Sequence, residues 1–157
     1  MRDDGDQADK IDDTNEPIPV TKDQIRFVTH DPQPVVPPRE LNAWERTIVD
    51  RLLSAPFPGR QAALGQAATL RVDAECPRCP SVWFRTEAAP DELILSGGER
   101  YWGIAPCEFH GRDLDGVPYQ ILLHIEDGLL AWIDAFRFGP EPFLQRPDLA
   151  TADVVCA

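Results

Sequence analysis

The stretch VPYQILLHIEDGLLAWIDAFRF, residues 117–138, decides the fold of this chain. Two runs rich in β-branched, leucine and aromatic side chains flank the pair Asp127-Gly128. An Asp-Gly pair supplies the positive φ angles of a tight hairpin turn, so the two runs are predicted to be antiparallel strands over 117–126 and 129–138. The sequence therefore predicts a sheet built outward from this hairpin.

A two-residue turn at Asp127-Gly128 would also set the register, with Leu123 facing Trp132 and Ile121 facing Asp134. That register puts a carboxylate into an apolar row, and burial of an unpaired charge is costly. Asp134 is therefore either hydrogen-bonded within the row or shifted outward by a β-bulge. We interpret it as a structural carboxylate rather than a catalytic acid.

The pair Asp115-Gly116 predicts a second hairpin immediately upstream. The same two-residue arithmetic places Phe109 opposite Leu122 and Cys107 opposite His124. His124 thereby becomes a neighbour of Cys107 in the predicted sheet.

On the N-terminal side of these predicted strands, the spacing of apolar residues changes from alternating to helical. Asn42 and Glu45 form a capping pattern for a first helix, and a second helix is predicted from Arg60 to about Ala67. The expected fold class is α+β, with two N-terminal helices packed on an antiparallel β-meander of about five or six strands. The further strands are predicted at Thr69–Asp73, Ser81–Thr86, Arg100–Ile104 and Glu108–Arg112.

Composition divides the chain into three parts: a disordered acidic and proline-rich leader at 1–40, a single domain at 41–144, and a tail at 145–157. Within the leader, residues 24–30 are either a short strand or docking motif, or a spacer that touches the edge of the domain. His30 lies in this leader and receives no role. Cys156 lies in the tail and is expected to be exposed and unstructured.

The net charge of −12 excludes several classes of partner. Nucleic-acid binding needs clustered Lys and Arg, so DNA and RNA are not expected partners. No apolar run is long enough to span a bilayer, and the N-terminal residues do not resemble a secretory signal, which predicts a cytoplasmic protein without membrane contact. An acidic surface suits a protein partner of basic character.

Cys76-Pro77-Arg78-Cys79 is the pattern with most chemical content, since two thiols at this spacing can hold a metal ion. The candidate zinc site consists of Cys76, Cys79 and Cys107, with either His110 or His124 as the fourth ligand. His110 could join only if its segment is a turn, because residues three apart on a strand point to opposite faces. The expectation is that these cysteines are small buried hydrophobes and that the protein has no cofactor, with bound zinc as the alternative.

A thiol-dependent enzyme is a further alternative, because Cys107 and His124 are predicted neighbours. Cysteine catalysis also needs an orienting group for the base and a site for the oxyanion, and the sequence indicates neither. We therefore expect no catalytic residues. Three tryptophans on a sheet face, Trp83, Trp102 and Trp132, are instead the candidate anchors for a protein partner, with core packing as the competing interpretation.

A series of short motifs along residues 41–144 resembles a group of small bacterial, largely actinobacterial, proteins without an established activity. The motifs are Trp44-Glu45-Arg46, Phe57-Pro58-Gly59, Cys79-Pro80-Ser81-Val82, Asp115-Gly116-Val117-Pro118, Leu122-Leu123-His124, Asp127-Gly128 and Ile133-Asp134-Ala135-Phe136-Arg137. The resemblance implies an α+β domain in a bacterial cytoplasm. Those relatives often carry a denser cysteine cluster before the Pro-Ser step, of which this chain keeps Cys76 and Cys79.

The leading functional expectation is accordingly a non-catalytic acidic protein-interaction domain, of the kind found in immunity proteins or antitoxins. A small zinc-stabilised structural module is the alternative, and the thiol-dependent enzyme is the second alternative.

Overall fold

A computed structural model describes residues 30–87 and 103–156 of the chain. Within these residues the protein contains two α-helices and an antiparallel sheet of eight strands, which confirms the α+β class. The elements in chain order are β1 (Gln33–Glu40), α1 (Ala43–Leu52), α2 (Arg60–Ala67), β2 (Arg71–Glu75), β3 (Val82–Arg85), β4 (Gly103–Ile104), β5 (Cys107–Arg112), β6 (Pro118–Glu126), β7 (Leu129–Arg137) and β8 (Asp153–Cys156).

Local sequence signals account for both helices. The Asn42 side chain accepts a hydrogen bond from the Glu45 amide at 2.8 Å, and the Glu45 carboxylate accepts one from the Asn42 amide at 2.9 Å. This reciprocal cap satisfies two amides that the first turn of α1 leaves without helical partners. Gly59, with a φ of +85°, precedes α2. No helix in the described part of the chain is long and apolar enough to cross a membrane.

The sheet has the strand order β1-β2-β3-β7-β6-β5-β8, with β4 paired to β6. It differs from the predicted meander of five or six strands in two ways. First, β3 pairs with β7, so the first three strands and the later hairpins join into one sheet. Second, the two outermost strands lie in the predicted leader and the predicted tail. Residues 33–40 and 153–156 therefore belong to the folded unit, while residues 1–29 of the predicted leader lie outside the described residues.

The two outermost strands had no recognisable signal in the sequence. Gln33–Glu40 contains three prolines, which remove backbone donors and are tolerated mainly on edge strands. Asp153–Cys156 is four residues long and mostly exposed, so it shows no buried alternation. Edge strands that are short or rich in proline do not follow the hydrophobic pattern of a central strand.

One face of the sheet carries the core beneath the two helices. Alternate residues of β6 are buried on that face, and α1 packs on β5 and β6 while α2 packs on β7. The fully buried large side chains are Ile48, Val49, Leu52, Leu53, Gln66, Val72, Cys107, Phe109, Ile121, Leu123, Leu130 and Ile133. The opposite face, which we call the open face, carries the other alternate set of residues.

The hairpin at Asp127-Gly128 is confirmed, with positive φ angles of 50° and 76° at the two turn residues. A β-bulge lies between His124 and Ile125, where the pairing of β6 with β7 shifts by one residue. It places Asp134 opposite Leu122 instead of Ile121. Because side chains alternate between faces, the bulge moves Asp134 out of the apolar row and onto the open face.

The upstream hairpin differs from its prediction. The Asp113 amide donates to the Val117 carbonyl, so the loop contains three residues and ends in Gly116 with a φ of +81°. One additional loop residue shifts the register, and Phe109 pairs with Ile121 rather than Leu122. The predicted pairing of Cys107 with His124 is therefore wrong: Cys107 lies in the core, whereas His124 pairs with Ile104 and lies on the open face.

Candidate metal centre

Aromatic and polar side chains from three neighbouring strands form a row across the open face. Trp83 of β3 pairs with Trp132 of β7, which in turn pairs with His124 of β6. The two indole rings stack at 5.5 Å between centroids, and the His124 ring stacks on Trp132 at 4.2 Å. Side chains that share a row of a sheet are held in fixed contact by the pleat. This row of stacked rings lies on the same face of the sheet as Asp134.

Cys76 and Cys79 lie in the turn that joins β2 to β3. The Cys76 amide donates to the Ser81 carbonyl at 3.0 Å, which closes the turn around both cysteines. Ser81 is itself fully buried and is held to β7, where its hydroxyl accepts from the Ala135 amide at 3.0 Å. The turn is thus anchored to the central strands, and both thiols are directed to one place.

His30 completes this group from the other side of the sheet edge. Because Gln33 pairs with Glu75 in an antiparallel ladder, a residue just before β1 must lie beside the residues just after β2. His30 Nδ1 is 3.2 Å from Cys79 Sγ. The three ligand atoms of His30, Cys76 and Cys79 lie within 4.8 Å of one another.

Asp134 holds the imidazole of His30 in place. His30 Nε2 donates to Asp134 Oδ1 at 2.8 Å, and His124 Nε2 donates to Asp134 Oδ2 at 3.2 Å. The His30 ring also makes edge contacts with Trp83 and Trp132. Since the side chains of His30 and Asp134 are only 9% and 15% exposed, solvent competes weakly with this hydrogen bond. The Nδ1 atom of His30 is left to face the thiols.

The protonation of this group in the metal-free protein follows from its contacts. Burial opposes the charged form of Cys79, but hydrogen bonds from His30, Ser81 and Cys76 outweigh it and lower the thiol pKa to about 7. Burial also opposes the charged form of His30, yet its hydrogen bonds to Asp134 and Cys79 raise its pKa to about 10. Burial would raise the pKa of Asp134, but the bonds from His124 and His30 hold it below its usual range.

These three residues could hold a metal ion. Zinc bonds of about 2.3 Å to sulfur and about 2.1 Å to nitrogen place tetrahedral ligand atoms roughly 3.6 Å apart. The 3.2 Å between His30 Nδ1 and Cys79 Sγ is within a few tenths of an ångström of that value. A carboxylate on the far nitrogen of a ligating histidine is a recurrent arrangement, because it fixes the ring orientation and raises its basicity. Asp134 occupies that position.

A pocket of about 310 Å³ adjoins the group. It is lined by His30, Cys76, Arg78 and Cys79, and by the end of β7 together with the segment that follows β7. Any ion held by the two thiols and the imidazole would therefore border a space large enough for a small molecule.

The structure brings together only part of the predicted ligand set. Cys76 and Cys79 are adjacent, as expected, but Cys107 is disulfide-bonded to Cys156 and has no thiolate to offer. The expectation of an unstructured Cys156 is likewise wrong, because it pairs with Cys107 across β5 and β8. Free thiols in the described chain are those of Cys76 and Cys79.

The two predicted histidine ligands also lie elsewhere. His110 Nε2 is 2.6 Å from Glu108 Oε1 and also contacts Gln120 on the open face. His124 donates to Asp134 and stacks on Trp132. Neither belongs to the group that could hold an ion.

The tryptophans predicted as partner anchors have a different environment. Trp83 and Trp132 are half-buried and stack on each other beside His30. Trp102 lies outside the described residues.

His30 is the ligand that the sequence reasoning missed. Its position follows from the pairing of β1 with β2, whereas the prolines of β1 favour a leader outside the folded domain. The sequence signal nearest to it is the run 24–30, which favours a short strand or docking motif ending at His30. Comparison of the chain with protein-family profiles, curated proteins and solved structures found no match.

Proposed function

We propose that this protein is a zinc-binding protein with a catalytic type of site, in which Cys76, Cys79 and His30 bind the ion. The observation that carries the proposal is the convergence of two thiols and an imidazole whose far nitrogen is hydrogen-bonded to Asp134 at 2.8 Å. Thiolate and imidazole ligands in this ratio suit zinc better than the hard cations magnesium and calcium, which prefer oxygen.

The number of ligands favours a catalytic site over the purely structural zinc module. Structural zinc ions are almost always held by four protein ligands, whereas catalytic ions have three and keep one position open. The chain has four cysteines and three histidines, and all of them lie in the described ranges. The two other cysteines form a disulfide. His110 is hydrogen-bonded to Glu108, and His124 is hydrogen-bonded to Asp134. No described carboxylate joins the group either.

The pocket that His30, Cys76 and Cys79 all line offers space for a small molecule beside such an ion. A zinc ion with three protein ligands polarises a carbonyl or lowers the pKa of a bound water. The residues of this chain would hold and orient the ion, with Asp134 fixing the His30 ring. We therefore assign the protein to metal-assisted chemistry on a small molecule.

Elemental analysis of untagged protein purified without chelator tests this proposal. We expect about one zinc per chain in the wild type, and much less in the variants Cys79→Ser and His30→Ala. His110→Ala is the matched control, because it removes a histidine that lies on the same sheet face outside the group. Wild-type protein without zinc, which also fails to take up zinc or cobalt when these are added, would refute the proposal.

A thiol-dependent enzyme is the second candidate, and one observation favours it. In the order Cys79, His30, Asp134, a thiol, an imidazole and a carboxylate are joined by contacts of 3.2 Å and 2.8 Å. This is the arrangement of a nucleophile, its base and the group that orients the base. The nucleophile would be Cys79, in place of the Cys107 considered from the sequence.

Metal content separates the two candidates. A protein isolated without metal, whose Cys79 reacts with iodoacetamide much faster than Cys76, would support the thiol-dependent enzyme. A protein isolated with zinc and with both thiols protected until a chelator is added would exclude it.

The acidic interaction domain stays a prediction from composition. Recovery of a basic protein from the native host in a pull-down would support it. A pull-down that recovers nothing would count against it.

A further inference from the structure

The pocket beside the candidate metal centre has a charge pattern of its own. Arg78 lies between the two cysteines and lines the pocket, and Glu141 lines it from the segment after β7. Neither the Arg78 guanidinium nor the Glu141 carboxylate forms a hydrogen bond or an ion pair with another described residue. Glu141 accepts a hydrogen bond from Arg137, but through its backbone carbonyl. Among the described residues, these two charged groups that line the pocket, one positive and one negative, therefore have no side-chain partner.

The other arginine of the pocket is not free in this way. The Arg137 side chain is 3% exposed, and its guanidinium is bound by the carboxylates of Asp113 and Asp115. Its charge is neutralised within the protein, so it supports the pocket wall instead of attracting a ligand. Arg78 is thus the cation that a ligand would meet.

The remaining wall of the pocket is apolar. Phe136 and Phe143 are both half-buried, and Ala135, Pro140 and Pro142 also line the pocket. Apolar walls with a few placed polar groups are the usual composition of a small-molecule site. A volume of about 310 Å³ is at the lower end of such sites and limits the ligand to a compact molecule.

We propose that this pocket binds a small zwitterion with an apolar body, in the chemical class of an α-amino acid or a very short peptide. Its carboxylate would pair with Arg78, its ammonium group with Glu141, and its side chain would pack on Phe136 and Phe143. A purely anionic ligand fits less well, because it would meet the carboxylate of Glu141 and the field of a protein with a net charge of −12. This inference rests on the proposed function in that the ligand would lie at the open position of the metal.

Cobalt-substituted protein allows the proposal to be tested, because the visible spectrum of cobalt(II) reports a change in its ligands. The probes are L-leucine, N-acetyl-L-leucine and L-leucinamide, which carry both charges, the negative charge alone and the positive charge alone. We expect leucine to bind at least about tenfold more tightly than either analogue, since each would lose one charge-assisted contact. Cobalt content after buffer exchange shows that the probe has not removed the ion.

Two variants separate the contributions of the charges. Arg78→Gln should abolish the advantage of leucine over leucinamide, and Glu141→Gln should abolish its advantage over N-acetyl-leucine. Arg85→Gln is the control, because Arg85 is an exposed arginine on β3 outside the pocket. Equal binding of all three probes, or a preference for leucine that both pocket variants retain, would overturn the proposal.

Calorimetric titration of chelator-treated protein keeps this inference separate from the metal proposal. If cobalt does not bind, the proposed function fails, yet Arg78 and Glu141 are still present in the pocket. Binding of leucine that depends on both residues would then support the zwitterion site alone. Absence of any leucine binding in both preparations would refute it.

Discussion

His30 and Asp134 are 104 residues apart in the sequence and are joined by a hydrogen bond of 2.8 Å between Nε2 and Oδ1. This bond connects the residue just before the first strand to the centre of β7. It leaves His30 Nδ1 directed at Cys79, and it places a carboxylate where metal-binding histidines commonly have one. The candidate site therefore depends on a contact between the two most distant parts of its sequence.

Replacement of Asp134 by asparagine should weaken metal binding without removing a ligand. Loss of the carboxylate lowers the basicity of His30 and loosens its ring, and such changes typically cost about 10–100-fold in metal affinity. Competition with a chromophoric chelator measures the zinc dissociation constant. Asp50→Asn, at an exposed position on α1, is the matched control. An unchanged dissociation constant in Asp134→Asn would show that the carboxylate does not support the site.

The number of titratable thiols should be two rather than four. Protein that is denatured and treated with chelator, but not reduced, should react with two equivalents of a thiol reagent per chain, because Cys107 and Cys156 form a disulfide. Prior reduction should raise the count to four. The variant Cys156→Ser should give three without reduction, since it frees Cys107. Four thiols in unreduced wild-type protein would contradict the disulfide.

Alkylation of Cys79 in chelator-treated protein should be half-maximal near pH 7. The folded pKa is lowered from 9.0 to about 7, so the thiolate and its stabilisation are present at higher pH and are lost as the pH falls through 7. The pKa of His30 is raised from 6.5 to about 10, so its stabilisation is complete below 6.5 and is lost as the pH rises through 10. The charged pair should thus persist between about pH 7 and pH 10.

Removal of the His30 imidazole tests whether this residue lowers the pKa of Cys79. In His30→Ala the midpoint of the alkylation profile should move upward, because the thiolate loses its hydrogen-bond donor. His110→Ala should leave the midpoint unchanged. A wild-type midpoint near that of an ordinary cysteine would show that the contact between His30 and Cys79 does not form in solution. Iodoacetamide labelling across a pH series, read by peptide mass spectrometry, gives these profiles.

Two glycine-to-alanine substitutions should change stability in opposite directions. A methyl group at Gly111 would collide with the ring of Tyr119, which is 2% exposed and cannot move aside easily. Overpacking of this kind costs about 1–3 kcal/mol. At Gly65, within α2, the same methyl group meets no atom within 4 Å, so alanine should add roughly 0.5–1 kcal/mol through its helix propensity. Urea unfolding of both variants measures the two changes, and equal effects would contradict the packing of β5 against β6.

The sequence by itself determined the elements whose causes are local. The Asn42 cap, the start of α2 at Arg60 and the tight turn at Asp127-Gly128 each depend on residues within a few positions of one another. The pairing of Cys76 with Cys79 was predictable for the same reason, because a spacing of three residues within one turn keeps both thiols together. These features agree with the structure because no distant part of the chain is needed to form them.

The tertiary structure decided which residues share a face and which distant residues meet. One additional residue in the Asp113–Val117 loop and one bulge after His124 change the register, and each single-residue shift exchanges the two faces of a strand. Cys107 consequently lies in the core and is bonded to the exposed Cys156, while Asp134 and His124 lie on the open face. His30 joins the site because a proline-rich strand pairs at the sheet edge, and such long-range pairing leaves no periodic signal in the sequence.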